Sequence, residues 1–335
     1  MTTGRTGSDY LQACLDNVKG VMTFCGKFEY HNFFLQNKEL SNENMIEKFI
    51  EKNKKIFSYN EFECIDTQID TEKFKNLFLK MNSEKIKSRK DFIIKLYKAY
   101  HLTLGRDLEG VKALVHHTHG YDNTIECLKD FPHAKLLITI RDPRANLKSG
   151  LDNWFRYDPS RRNIEHVYLY MKRIIHDLVE SQKLKNNKLF IHLENMGDIK
   201  TKKEICSFLG VDYSTEIERA TINSIVWGGD VLSQNKSKQG EFIVNVKNNK
   251  WENYFLESEI NILNFLYEEY HKFGYNLKKI SFFERIILFV KSIKLFSFEK
   301  RIFFNDFLSK KTFLNFYNYL KIRILLIFVS AIKLK

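Results

Sequence analysis

Apolar positions along this chain recur in two rhythms. Over residues 8–17, and over a longer stretch at 161–184, they return every three or four places, the spacing of one helix face. Four short apolar runs behave differently: GVMTF at 20–24, VKALVHH at 111–117, HAKLLITI at 133–140 and KLFIHLE at 188–194. Each is too short for a helix and is bounded by polar or turn residues, so each predicts a strand. Between about 39 and 104 the chain is rich in Lys, Glu and Phe, with helical periodicity and no strong strand pattern. Helices of this kind cover a sheet or cap a substrate cleft. A helix is predicted from about 144. KTKKEICSFLG at 200–210 predicts another, stopping at Gly210, and 257–273 predicts one stopping at Gly274. Strands that alternate with helices imply an α/β fold: a mostly parallel sheet with helices on both faces, three layers in all.

Composition narrows this picture. The 335 residues suffice for one large domain or two modest ones, and 44% are hydrophobic, enough for a real core. Gly (14) and Pro (3) are too scarce for long flexible linkers, and no internal repeat is visible. Five cysteines, odd in number and far apart, form no CxxC pair and no zinc-spaced cluster. This excludes a disulfide framework and points to a reducing compartment. The start, MTTGRTGSDY, has no charged-then-apolar signal pattern. No run reaches the ~18 apolar residues of a spanning helix.

The net charge of +13 favours anionic partners. It is unevenly placed. Residues 281–335 hold 13 aromatics and 11 Lys/Arg against 3 Asp/Glu, which is +8 of the total. A boundary is therefore predicted near 278. It separates a domain at 1–278 from a basic, aromatic helical extension at 279–335. Such helices can lie in an anionic membrane interface, or pack on the domain or a partner subunit. No RNA- or DNA-binding signature accompanies them, so nucleic acid is not expected as a partner.

Two stretches carry candidate chemistry. GRTGSD, Gly4 to Asp9, opens the first helix. Small residues there let backbone N–H groups approach an anion, and the helix dipole adds to the attraction. The loop is too short for a Walker loop and lacks its Gly-Lys-Ser/Thr ending. The second stretch is RDPRANLKS, in which Arg141 stands at a strand end and Ser149 follows eight residues later. That spacing places Ser149 one to two turns into a helix, where its hydroxyl can share a phosphate with the guanidinium. Ligands in open parallel sheets sit at such strand ends. Arg144 is expected to pair with an acid at the helix start.

Together, in this order, the two stretches resemble the sulfotransferase superfamily, whose donor is 3′-phosphoadenosine 5′-phosphosulfate (PAPS). LENMGD (193–198), ICSFLGVDY (205–213), WGGD (227–230), KWENYF (250–255) and HKFGYNL (271–277) are similar to later family segments, so the resemblance covers about 4–277. It implies a P-loop-like fold. It implies that Gly4, Arg5, Thr6, Gly7, Ser8 and Asp9 form the 5′-phosphosulfate loop, and that Arg141 and Ser149 grip the 3′-phosphate. Aside from the resemblance, aromatic stacking and cationic clamping would let Trp227 cover the adenine and Lys236 or Lys238 reach the 3′-phosphate; an ordinary surface loop is the other reading. Two departures stand out. Asp9 replaces the usual Thr and is acceptable as a helix cap. The strand that normally precedes the loop is reduced to MTT, so the first strand is expected to be missing or truncated.

Sulfonate transfer needs a base for the acceptor and a cation on the leaving oxygen. Arg5 suits the second role. For the base, the resemblance offers His119, 22 residues before Arg141, with His117 where the family has Lys. Glu29 is the rival, although Lys27 stands where the family's Glu would align. His116, His117 and His119 cluster as metal ligands do, but residues along a strand point alternately to opposite faces, and no metal is expected. The expected activity is therefore sulfonate transfer from PAPS to a hydroxyl of a carbohydrate or glycolipid. The enzyme would be cytoplasmic, with a peripheral membrane contact through 279–335. Two alternatives stay open: a non-catalytic membrane-docking or nucleotide-binding relic, and a kinase-like phosphotransferase.

Overall fold

The computed structural model describes residues 4–61, 64–82, 84–157, 164–231, 237–242, 251–277, 280–291 and 296–300. The boundary predicted at 278, Lys236 and the tail from 301 onward lie outside them. In chain order the elements are α1 (Ser8–Leu15), β1 (Val21–Met22), α2 (Tyr30–Asn37), α3 (Asn42–Lys52), α4 (Lys54–Phe57), β2 (Tyr59–Asn60) and β3 (Ile65–Asp66). Then come α5 (Thr71–Lys80), α6 (Arg89–Thr103), β4 (Ala113–Leu114), α7 (Tyr121–Asp130), β5 (Leu136–Ile140), α8 (Pro143–Tyr157) and α9 (Ile164–Lys183). The last are β6 (Lys188–His192), α10 (Ile199–Leu209), β7 (Thr221–Ile222), β8 (Ile225–Val226), α11 (Glu257–Leu266) and α12 (Phe282–Lys291).

The mixed α/β character, the four predicted strands and the predicted helices are present. The strands do not join into one sheet among the described residues. They form four separate pairs: β1–β4 and β5–β6 are parallel, β2–β3 and β7–β8 antiparallel. The predicted strands at 20–24 and 111–117 shrink to two paired residues each. The chain divides into two compact units, Met1–Ile140 with Lys185–Lys247, and Arg141–Leu184 with Asn248–Lys335.

Among the described residues, the first unit has two apolar cores. One is aromatic. Phe24, Phe49, Phe74, Phe78 and Phe92 are fully buried with Tyr97 and Tyr100 between α2, α3, α5 and α6. The Phe24 and Tyr100 rings stack at 3.9 Å. The Lys/Glu/Phe stretch thus puts its Phe residues inward and its charges outward. The helices begin on their caps: Ser41, Asp70 and Ser88 each accept a backbone N–H with the side chain. The second core joins α1 and α10 to the ends of β1 and β6 through Leu11, Leu15, Val18, Ile205 and Trp227. Trp227 is 6% exposed and packs within that core.

A buried ion pair ties these parts together. Asp16 follows α1 and is 7% exposed. Its Oδ1 accepts from Arg106 Nη1 at 3.1 Å and from the Thr23 hydroxyl at 3.3 Å. Its Oδ2 accepts from the Thr221 hydroxyl at 3.0 Å and the Ser224 N–H at 2.8 Å. Asn223 and Ser224 both have positive φ (54° and 66°), the two-residue turn that matches strand twist between β7 and β8.

The second unit contains α8, α9, α11 and α12. Asp142 accepts the Arg144 N–H at 2.9 Å and pairs with its guanidinium at 2.6 Å, the ion pair expected at that helix start. The same guanidinium donates to Asn264 and lies 3.9 Å over the Trp251 ring. Gly150 lets α8 approach α9, since a Cβ there would stand 2.7 Å from the Tyr170 ring. Tyr270 donates to the Ile174 carbonyl at 2.9 Å and fastens α9 to the turn after α11.

Two outcomes follow. Asp16→Ala takes the shared acceptor from Arg106, Thr23, Thr221 and Ser224 and should cost about 1–3 kcal/mol of unfolding free energy in urea titrations. His116 packs among Phe28, Tyr30 and Tyr97, and its Nδ1 is 2.9 Å from the Tyr97 hydroxyl. Burial pushes its imidazole down to about 3. In an unfolded chain it would protonate near ~6.5. The unfolded state therefore takes up the extra proton first as pH falls. Stability is whole above about pH 6.5 and drops toward pH 3, by at most about 1.4 kcal/mol per pH unit for this one group. His116→Gln should remove that share of the slope, measured from urea midpoints between pH 7.5 and 5.

Candidate functional site

The loop before α1 is built on left-handed backbone. Gly4, Arg5 and Gly7 have φ of 87°, 55° and 82°. Gly7 is also pressed against Leu193, whose Cδ1 would lie 2.3 Å from a Cβ, so a larger residue would be strained by the left-handed backbone and would push Leu193 aside. This turn brings the chain sharply into α1. Thr6, 1% exposed, hydrogen-bonds through Oγ1 to Thr139 Oγ1 at 2.7 Å. The loop is thereby fixed to the C-terminal part of β5. Arg5 points its Nη1 toward Asp230 Oδ2 at 3.5 Å and is partly exposed.

Asp9 sits in the first turn of α1, where a negative charge suits the helix dipole. It does not cap the helix: Gly7 is the N-cap, with no side-chain cap bond. Its carboxylate goes instead to Lys27, with Oδ1 2.6 Å from Nζ. His117 Nδ1 is 3.7 Å from the same oxygen. Burial alone would raise the Asp9 carboxyl, but Lys27, His117 and His119 outweigh it and hold it well below the ordinary carboxylate range. Lys27 thus neutralises the charge that an acid in this loop would turn against an anion.

His116 turns toward the aromatic core, while His117 and His119 come together with ring centroids 4.8 Å apart. Gln12, one turn along α1 from Asp9, organises the pair. Its Nε2 donates to the Phe24 carbonyl at 2.6 Å, so its Oε1 is an acceptor facing His117 Nδ1 at 2.9 Å. His117 therefore carries its proton on Nδ1 and a lone pair on Nε2. That Nε2 is buried with no hydrogen-bond partner among the described residues. Burial drives the His117 imidazole far below its usual value, against the pull of Asp9, so it is neutral at pH 7. It is a second candidate base, alongside His119.

Glu29, the rival base, is the N-cap residue of α2 and is exposed. The burial that would make it a stronger base is absent. It still belongs to the same rim: Asn123 Nδ2 donates to Glu29 Oε1 at 3.3 Å and to the His119 carbonyl at 2.9 Å. Asp9, His117 and His119 offer donor atoms within 4.8 Å of one another, a geometry a cation could use. The expectation of no metal rested on alternating faces, and it overlooked that positions 117 and 119 share one. Lys27 already supplies a cation to the carboxylate.

The structure thus gathers Arg5, Thr6, Gly7, Ser8, Asp9, Glu29 and His119 in the first unit. Arg141 and Ser149 belong to the second. Arg141 follows β5 directly and is 6% exposed; Ser149 lies in the second turn of α8, half-buried. Lys238 is exposed. Gln12 and Asn123 were not read from the sequence as site residues, and Lys27 and His117 entered only as departures from the family's pattern. The i, i+3 spacing of Asp9 and Gln12 was the available signal for one of them.

No family model matches this chain, and no curated protein or solved structure matches it. One check of the site needs no substrate. In Lys27→Met, Asp9 loses its cationic partner, so its carboxyl should titrate at higher pH than in the parent, read by carbon NMR of labelled aspartate. No change would mean that the pair at 2.6 Å does not hold Asp9 low.

Proposed function

We propose that the chain is a PAPS-dependent sulfotransferase with a P-loop-like fold, acting on a hydroxyl of a carbohydrate or glycolipid. The observation that carries this reading is the bond between Thr6 and Thr139. It joins the left-handed glycine loop to β5, the strand that runs straight into Arg141. The reading needs these two stretches to serve one ligand with phosphates at both ends. The loop offers backbone N–H groups and Arg5 to a sulfonated phosphate. Arg141 and the Ser149 hydroxyl offer a fork and a donor to the second phosphate.

In the reaction this implies, the acceptor oxygen attacks sulfur in line with the departing phosphate oxygen. His119 or the lone-pair Nε2 of His117 takes the acceptor proton. Arg5 stabilises charge on the leaving phosphate. The paired Lys27 keeps Asp9 from repelling the sulfonate.

One feature supports the acceptor class. On α12, Phe283, Ile286, Ile287 and Val290 form an exposed apolar stripe, beside Lys291. A stripe with a nearby cation suits an anionic lipid surface. Among the described residues, no helix is long and apolar enough to cross a membrane.

Calorimetry with adenosine 3′,5′-bisphosphate in the absence of Mg²⁺ tests the donor. Binding should be lost by about tenfold or more in Arg141→Ala. Preference for Mg-ATP would favour the phosphotransferase instead. Radiolabelled PAPS with a glycan and glycolipid panel then tests transfer. His119→Ala should lower kcat by about 10²–10⁴ with donor affinity kept. Donor binding with no transfer to any acceptor would mark a non-catalytic relic.

A further inference from the structure

The first unit holds a cavity of about 700 Å³. Leu114, Leu136 and Leu137 line it from β4 and β5, Leu11 and Leu15 from α1, and Ile93 from α6. Protein interiors rarely contain voids much larger than a water molecule, and walls of this kind offer water few polar partners. The volume lies within the range of about 300–1,000 Å³ that small-molecule pockets span.

Its two ends differ. Lys112 and Lys135 line the cavity and stand directly before β4 and β5. Both lie near the C-terminal end of α10. Lys135 Nζ donates to the Phe208 carbonyl at 2.7 Å. Gly20, which accepts the Lys112 N–H at 2.8 Å, is packed on Val211 just after that helix. Lys90, a third lining residue, has its Nζ 5.6 Å over the Phe131 ring, in the turn that leads to Lys135. All three lysines are exposed, so the cavity meets solvent at this end. Among the described residues, none of the three is paired with a carboxylate. Glu126 and Asp130, near the end of α7, are held by Arg89 at 3.4 and 2.9 Å. The opposite end carries no lysine: Ser8, Gln12, His117 and Thr139 line it, and the Thr6–Thr139 bond fastens the loop there.

Shape and charge together select the ligand. From Lys135 to Thr139 the cavity follows extended strand for about 13 Å, at ~3.3 Å per residue, so it is a slot and not a round chamber. A neutral hydrocarbon would fill the slot and leave the ammonium groups at its mouth unanswered. An inorganic anion would meet the ammonium groups and leave the slot empty. A chain with an anionic head does both. Each methylene it buries is removed from water. The lysines can lay their stems along the apolar rim and keep their charges at the head.

We propose that this cavity binds a single-chain anionic amphiphile, an acyl or alkyl chain that ends in a carboxylate or a phosphate. The head lies among Lys90, Lys112 and Lys135, and the chain runs along β5 toward Thr139. The polar lining at that end limits the chain length that gains affinity. The proposal stands whether or not the protein transfers sulfonate.

Calorimetry with octanoate, decanoate and dodecanoate, each below its micelle concentration, tests this. Binding should saturate at one molecule per chain and tighten about threefold to fourfold per added methylene. Dodecyl phosphate run beside dodecanoate identifies the preferred head, and saturable binding of either supports the proposal. Decanoate should bind about tenfold tighter than decanol. The triple variant Lys90→Met, Lys112→Met, Lys135→Met, at exposed positions, should lose that preference and keep its affinity for decanol. For location, dodecanoate carrying a nitroxide near its methyl end should broaden the methyl signals of Ile93, Leu114 and Leu136. Those of Ile286 and Ile287 on the apolar stripe of α12 should stay sharp. The proposal is overturned by no saturable binding of either head, by affinity indifferent to chain length, or by equal affinity for decanoate and decanol in the parent. Broadening confined to Ile286 and Ile287 overturns it as well.

Discussion

Asp16 and Arg106 hold the first unit in register. The carboxylate stands where α1 ends and accepts from four groups: Arg106 after α6, Thr23 after β1, Thr221 in β7 and Ser224 in the β7–β8 turn. Arg106 also donates to the Asp16 carbonyl and to Asn17. A buried charge is tolerated only when its lone pairs are used, and here both oxygens are. Because α1 is anchored at its C-terminal end, the loop at its N-terminal end has a defined place. Asp9 and Gln12, on the same short helix, inherit that place.

The candidate site is a study in charge compensation. A glycine loop at a helix start invites an anion, yet Asp9 puts a carboxylate in it. Lys27 answers that carboxylate, and Asp230 takes up Arg5. The histidines divide by environment. His116 is pushed into the aromatic core and kept neutral there. His117 is held by Gln12 in one tautomer, with its free lone pair buried. The electrostatics of the rim thus come from chain segments around residues 9, 27, 117 and 123, far apart in sequence. The geometry of the loop comes from two glycines and the side chain of Leu193.

Much of the fold was legible along the chain. The helices at 8–15, 143–157, 164–183 and 199–209 and the strand at 136–140 follow from local periodicity and caps, which each segment carries in itself. The glycine loop, the Arg144 ion pair and the left-handed stop at Gly210 were readable for the same reason. What only the tertiary structure decided was pairing. Strand partners, the Lys27 bond to Asp9, the burial of Trp227 and the exposure of Glu29 depend on which distant segments meet. A hydrophobic pattern states which face of an element is buried, but not against what. The meeting of His117 with Gln12 is set by how the chain after β4 packs on α1, and no spacing along the chain encodes that distance.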